Sequence, residues 1–442
     1  MLANLKNKEV NVIGGGLAGC EASLFLAKNG IKVNLYEMKP NQKTPAHKSD
    51  NLGELVCSNS LKSVDIGTAS GLLKKELELL GCSLLEIAKS VSVSAGSALA
   101  VDRNKFATEI TNQIKNNKNI NLISCRFDEI DTTVPTIIAT GPLTDDILYS
   151  NLQKLIGDDN CYFYDAIAPI VSISSIDFES AFWADRYDKG EGQGDYLNCP
   201  LNKQEYENFV QELVNAERVE LKDFEKVFEG CMAVEVMAKR GFDALRFGPM
   251  KPVGLFDKRK DERPYAVLQL RKEDNNGECV NLVGFQTNLK FPEQKRVFSM
   301  IPALKNAEFI RYGQMHRNSY VNAPKCLNVY SQLKEHKNIF IAGQLSGVEG
   351  YVESIASGLY CAINMLRLLE NKPLLKLDTT TIIGALMNHI SSCQSANFQP
   401  MNANFGILSC DKNFKDKKMK KQYMCEQSLK EISRFKEELY GN

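Results

Sequence analysis

Short apolar runs punctuated by glycine open the chain, and their spacing predicts a βαβ unit. Glu9 to Gly14 reads as a strand (VNVIG), and Gly14-Gly-Gly-Leu-Ala-Gly19 follows as a tight turn. Cys20 to Asn29 then repeats at helical period, with Gly30 placed to end the helix. Ile31 to Tyr36 predicts a second strand, closed by Glu37. The segment Pro40 to Ser63 is polar and rich in turn residues, so a long functional loop is expected there. Leu72 to Leu80 and Asn104 to Lys115 carry helical periodicity, and Thr136 to Thr140 is a buried strand running into Gly141-Pro142. Between Ala166 and Pro324 the texture changes to alternating strand-like pieces, such as Ala266–Leu270 and Cys279–Phe285, with several Pro and Gly turns. Doubly wound character then returns. Asn338 to Ala342 predicts a strand, Gly343-Gln-Leu-Ser-Gly347 a turn, and Ser354 to Leu369 a helix of small residues.

The pattern predicts an α/β chain, with a doubly wound, Rossmann-like dinucleotide domain (1–165 and 325–442) interrupted by an inserted α/β domain (166–324). A length of 442 residues with 43% hydrophobic content allows about two to three domains with large cores. Lys plus Arg equals Asp plus Glu, 54 each, so no whole-molecule field draws in nucleic acid. Any RNA site must be a local basic patch. Candidates are the tail Asp411–Lys421 and the stretch Arg311–Asn318, which includes Arg317; a solvated face is the alternative for both. The 13 cysteines include no Cys-x-x-Cys pair, which argues against a zinc ribbon or a disulfide framework. No bound metal is expected. The N-terminus has no apolar signal region and no apolar run reaches membrane-span length, so a reducing cytoplasm with no membrane association is expected.

Gly14-x-Gly16-x-x-Gly19 between strand and helix suits a pyrophosphate. Glycines let backbone N–H groups approach it, and the helix N-terminus adds a positive dipole end. Glu37 is placed to accept from ribose hydroxyls. The strand-turn IIATGP and the later IFIAGQLSGVEGY are similar to segments that complete the fold and close over the flavin in FAD enzymes, which favours FAD over NAD. Two cysteines stand out. Cys57 lies beside Ser58, Asn59 and Ser60. Cys231 follows Gly230, in a region with Lys239, Arg240, Arg246 and Lys251, cations able to stabilise a thiolate. A small buried hydrophobe remains the alternative for each.

GGGLAGCEAS, KTPAHKSDNLGELVCSNSLKS, FEGCMAVEVMAKRG with RFGPMKPVGL, RYGQMHRNSYVNAP and AGQLSGVEGYVESIASG together resemble the folate- and FAD-dependent RNA uridine-5-methyltransferases. The resemblance spans nearly the whole chain. It implies methylenetetrahydrofolate as carbon donor, FAD as methylene carrier and NADPH or NADH as reductant. It implies Cys231 as the nucleophile that adds to carbon 6 of uracil, and Cys57 as a second thiol near the flavin that accepts the carbon 5 proton. It also implies Tyr351 over the flavin ring and Gly14, Gly16, Gly19 and Glu37 at the adenosine diphosphate. Gly343, Gln344 and Gly347 are implied beside the isoalloxazine and ribityl chain. The substrate expected is the T-loop uridine of tRNA, with a uridine of large-subunit (23S) ribosomal RNA as the alternative, and no obligate protein partner. Gly15 stands where the family pattern has alanine and Ala233 where it has proline, and the tail is unusually lysine-rich. A non-methylating flavin-dependent tRNA-modification subunit shares the fold but needs neither thiol. A small-molecule NAD(P)H oxidoreductase fits the large insertion poorly.

Overall fold

The structure, a computed structural model, describes residues 8–44, 46–157, 161–166, 168–188, 194–219, 232–272, 279–313, 315–393 and 398–440. Strand β1 (Glu9–Ile13), helix α1 (Leu17–Lys28) and strand β2 (Lys32–Glu37) form the opening βαβ unit. The two strands pair in parallel, with Val12 opposite Leu35. They sit within a five-stranded sheet ordered Ile339–Ile341, Thr136–Ile138, β1, β2, Ile120–Ser124. Every pairing in it is parallel. Such a sheet is covered on both faces, so its strands read as apolar runs rather than alternating ones.

Helix α1 is buried from Leu17 to Ala27, which explains the weak amphipathic signal of its sequence. The Tyr351–Leu369 helix crosses it at backbone contact. A Cβ at Gly358 would come within 2.2 Å of the Ala18 carbonyl oxygen, so only glycine allows the approach. By length and composition this long helix could cross a membrane, but 89% of its apolar window is buried inside the protein. The helix begins at Tyr351, earlier than the periodicity from Ser354 predicts, because Gly350 (φ 117°) makes the turn into it.

Two buried acids show how the core manages helix ends. Glu21, fully buried in α1, accepts from the backbone N–H groups of Ser83 and Leu84 at the start of the Ser83–Ser90 helix. Glu76 does the same for Ile382 and Ile383 at the start of Ile382–Ser392, and also accepts from the Ser428 hydroxyl. Burial pushes the Glu76 carboxyl up to about 7, against the pull of those donors.

The middle of the chain builds its own sheet of six strands, ordered Phe182–Trp183, Tyr196–Leu201, Ala266–Lys272, Cys279–Leu282, Ile170–Ser172, Phe309–Arg311. Its pairings are antiparallel. The helices Lys203–Asn215 and Phe291–Phe298 pack on it around Phe209, Phe285 and Phe298, a hydrophobic cluster separate from the first. Lys203–Asn215 starts with a reciprocal cap: Asn202 accepts from the Glu205 N–H and Glu205 from the Asn202 N–H. The strands Cys161–Ala166 and Met315–Tyr320 pair as a two-stranded ribbon. The second half of the basic tail opens the helix Lys417–Tyr440, which runs on well past it.

Candidate functional site

A cleft opens above the carboxyl ends of β1 and its neighbours. It is lined by Gly14, Gly16, Glu37, Ala139, Thr140, Gly343, Gln344 and Tyr351 among others, and its empty space, including the part open to solvent, is about 1150 Å³. Open parallel sheets bind ligands at this end. Gly14 turns with φ 103° against the Ala139 backbone. Gly19 brings α1 onto that turn: a Cβ there would lie 1.9 Å from the Gly14 carbonyl oxygen. A Cβ at Gly16 meets nothing within 4 Å. Gly16 is also the N-cap of α1, with no side chain capping the helix and no acid in its first turn. The N-terminal N–H groups thus face open space, and the cradle fits the diphosphate of a dinucleotide such as FAD. Where the family pattern has alanine, Gly15 has Leu52 Cδ2 and Glu37 Oε2 at 2.6 and 2.9 Å from the Cβ position, so Leu52 fills the methyl's place.

Glu37 is buried, accepting from the Gly15 N–H at 2.8 Å and the Lys39 N–H at 3.0 Å. A carboxylate has about four acceptor sites, so capacity for ribose hydroxyls remains. Gly343 (φ 70°) and Gln344 line the cleft. Gly347 is not among the lining residues. It holds a left-handed turn with Phe398 Cζ 2.6 Å from its Cβ position, so ring packing accounts for the glycine there.

The cysteine loop meets the cleft through Val56 and Tyr351, both lining residues. The Tyr351 hydroxyl accepts from the Cys57 N–H at 2.7 Å and the Ser58 N–H at 3.2 Å. Burial raises the Tyr351 phenol well above its usual range, and Cys57 adds to the shift, so the ring acts as a neutral acceptor. Cys57 itself is half-buried and not disulfide-bonded. Three arginines from separate elements converge on its loop. Arg103 donates to the Leu55 and Cys57 carbonyls, Arg311 to those of Val56 and Cys57, and Arg271 to the Ser58 and Asn59 side chains.

This corrects the expectation for Arg311. Its guanidinium grips the loop at 2.9 Å from the Cys57 carbonyl, because the Phe309–Arg311 strand ends beside the dinucleotide domain. The side chain of Arg317 lies outside the described residues, and so does Cys231. The tail's Lys415, Lys417, Lys418 and Lys420 are exposed, whereas Lys412 and Lys421 lie over the rings of Tyr423 and Phe405. Arg103 and Arg271 were missed in the sequence. Arg271 carried a signal: a cation that continues the buried apolar strand begun at Ala266.

The model of the family described as GIDA, glucose inhibited division protein A, matches residues 9–373. The chain belongs to this family. Within the GIDA family it is similar to proteins named methylenetetrahydrofolate–tRNA-(uracil-5-)-methyltransferase TrmFO. The Natranaerobius thermophilus relative is 53% identical over 428 residues, covering 96% of this chain and 98% of that protein. The Thermotoga maritima relative is 50% identical over 97% of this chain and 99% of that protein. The Listeria monocytogenes relative is 49% identical over 98% of this chain and 100% of that protein. Among solved structures, Aquifex aeolicus GidA in its form II crystal superposes with TM-score 0.70 at 16% identity, covering 98% of this chain and 74% of that one. That likeness concerns the fold alone.

Proposed function

We propose that this GIDA-family chain is an enzyme that makes 5-methyluridine in tRNA, at the T-loop, with methylenetetrahydrofolate as carbon donor and FAD held in the cleft. The observation that carries the reading is near-full-length similarity, at about half identity, to relatives that bear that activity as their name. Ribosomal RNA is not favoured, since those names specify tRNA.

Bound FAD supplies a one-carbon carrier and a hydride, chemistry that no side chain offers. The rest belongs to the protein. The α1 N-terminus and Gly14, Gly16 and Gly19 hold the diphosphate, and Glu37 accepts from the ribose. Tyr351 would cover the flavin ring, and Gly343 and Gln344 would shape the space for ring and ribityl chain, with Gly347 making the turn that follows them. Uracil is a poor carbon nucleophile until a thiolate adds to it. The Cys231 thiolate therefore forms a bond to carbon 6, and the electron pair of the 5,6 double bond makes carbon 5 nucleophilic. Once carbon 5 has gained its new bond, Cys57 accepts the proton it must lose. The Cys231–carbon 6 bond then breaks and returns the thiolate. With the first thiol occupied in the adduct the proton needs another acceptor, and the family resemblance implies Cys57.

The division into 1–165 with 325–442 and an insertion at 166–324 is supported in outline by two separate hydrophobic clusters, with Tyr320, Val321 and Ala323 packing in the first of them. NADPH or NADH is the reductant. The enzyme works in the cytoplasm without an obligate protein partner; its 13 cysteines suit a reducing compartment.

The test is to incubate the purified protein with methylenetetrahydrofolate carrying a labelled methylene, NADPH and two transcripts, a tRNA and a 23S ribosomal fragment. Label should appear in the tRNA. Label in the ribosomal fragment alone would replace the substrate, and label in neither would overturn the reading.

A further inference from the structure

Arg271 sits in the Ala266–Lys272 strand, among side chains from Ala266 to Leu270 that are buried throughout. It is 7% exposed, yet no ion pair to a carboxylate holds it among the described residues. A buried cation without an anionic partner carries a large desolvation cost, and an apolar residue would serve stability better. Besides a bond with the Tyr196 side chain, the guanidinium engages one short stretch of the cysteine loop. Nε donates to Asn59 Oδ1 at 3.0 Å and one terminal nitrogen to Ser58 Oγ at 2.9 Å. Asn59, itself fully buried, donates to the Val101 carbonyl at 3.1 Å and the Lys272 carbonyl at 2.9 Å, stitching the loop to both domains. The residue just before this stretch is Cys57, whose N–H is taken by Tyr351 and whose carbonyl is taken by Arg311.

We propose that Arg271 is a positioning residue for Cys57: the insertion grips the cysteine loop through it, so the seating of one domain on the other aims the thiol. The proposal rests on the reading of Cys57 as a working thiol. A planar fork that engages two side-chain oxygens fixes orientation, which a lysine ammonium cannot reproduce. The Arg103 and Arg311 contacts pin the loop's carbonyls, whereas Arg271 pins the side chains that follow the thiol.

The experiment uses the full-length holoenzyme with Arg271→Met, Arg271→Lys and Ser58→Ala. Turnover is measured with tRNA. The rate of Cys57 alkylation by iodoacetamide is followed by peptide mass, with half-exposed Cys410 as internal reference. Both Arg271 variants should lower kcat by about 10- to 100-fold, as expected for a misaimed reacting group, and leave KM for tRNA within about twofold. Flavin content should stay at the wild-type level. Cys57 alkylation should change severalfold while Cys410 alkylation does not. Ser58→Ala should act in the same direction with smaller size, and it decides the matter if the Arg271 variants fail to fold. Wild-type kcat and alkylation in these variants would overturn the proposal. So would full rescue by lysine, which would mean that charge and not the fork matters, or a fallen kcat with unaltered Cys57 alkylation. Failure of the underlying reading looks different: Cys57→Ala would methylate normally, and the grip would then stand or fall on the alkylation rates alone.

Discussion

The glycine cradle and the cysteine loop border the same cleft but are made in opposite ways. The cradle is mostly local: a strand, a three-residue turn and a helix, closed by Glu37 on the next strand. Gly19 answers a backbone distance within the unit itself, against Gly14, while Gly14 also meets the Ala139 backbone of the neighbouring strand. The loop has no regular structure from Asn51 to Asn59, and its shape is imposed from outside. Its partners Arg103 and Tyr351 lie 46 and 294 positions from Cys57, and Arg271 and Arg311 come from the insertion. A glycine cradle can thus be written largely into one supersecondary unit, whereas the Cys57 loop is held only once the two domains have met.

The largest effect that would sharpen this contrast is chemical. Cys57→Ala should retain flavin, because Cys57 is not among the residues lining the cleft, yet lower methylation by about 10³-fold or more, as loss of a reacting group does. Cys231→Ala should do the same and also lose covalent capture of a 5-fluorouracil transcript, read on a denaturing gel. Capture that persists in Cys231→Ala would move the nucleophile to Cys57.

Gly19→Ala attacks the other side of the comparison. A methyl 1.9 Å from a backbone oxygen cannot be absorbed by side-chain motion. The expected cost is about 3 kcal/mol or more, with loss of flavin, measured by thermal unfolding and absorbance. If flavin stays and only turnover falls, the cradle is less local than argued.

The scaffold's buried acid offers a pH test that leaves both sites intact. Glu76 titrates near 4.5 when unfolded and at about 7 when folded. Between these values the folded state holds the extra proton, so stability falls as pH rises from about 4.5 to 7, by up to about 3 kcal/mol. Glu76→Gln should flatten that slope in urea melts at several pH values, with kcat unchanged at a fixed pH.

The smallest effect is on cofactor affinity. Glu37→Ala should weaken FAD binding by about 1.5–3 kcal/mol, the worth of a charge-assisted hydrogen bond, read by flavin titration. Part of the loss would come through Gly15 and Lys39, whose N–H groups the carboxylate holds. A fully retained affinity would place the ribose elsewhere.

The βαβ unit, the buried strand at Thr136 and the late strand and helix were legible because apolar period and glycine spacing act over a few residues. The family pattern marked Cys57 and Tyr351 separately, and that the two are joined by a hydrogen bond appears only in the structure. The helix Lys417–Tyr440 was not legible, because its buried side chains Met424, Ile432 and Phe435 are diluted by charge. Nor was the change of role for Arg311. From its neighbours a basic side chain amid aromatics reads as an RNA contact; in space it is spent on the Cys57 carbonyl.

The sequence by itself determined the cradle, since the helix N-terminus, the turn and the acid at the end of β2 follow from contacts within a single unit. Tertiary structure decided the shape of the Cys57 loop. Local bonds such as those of Glu54 and Ser58 hold its ends, but the carbonyls of Leu55, Val56 and Cys57 are satisfied by guanidinium groups carried in from distant elements.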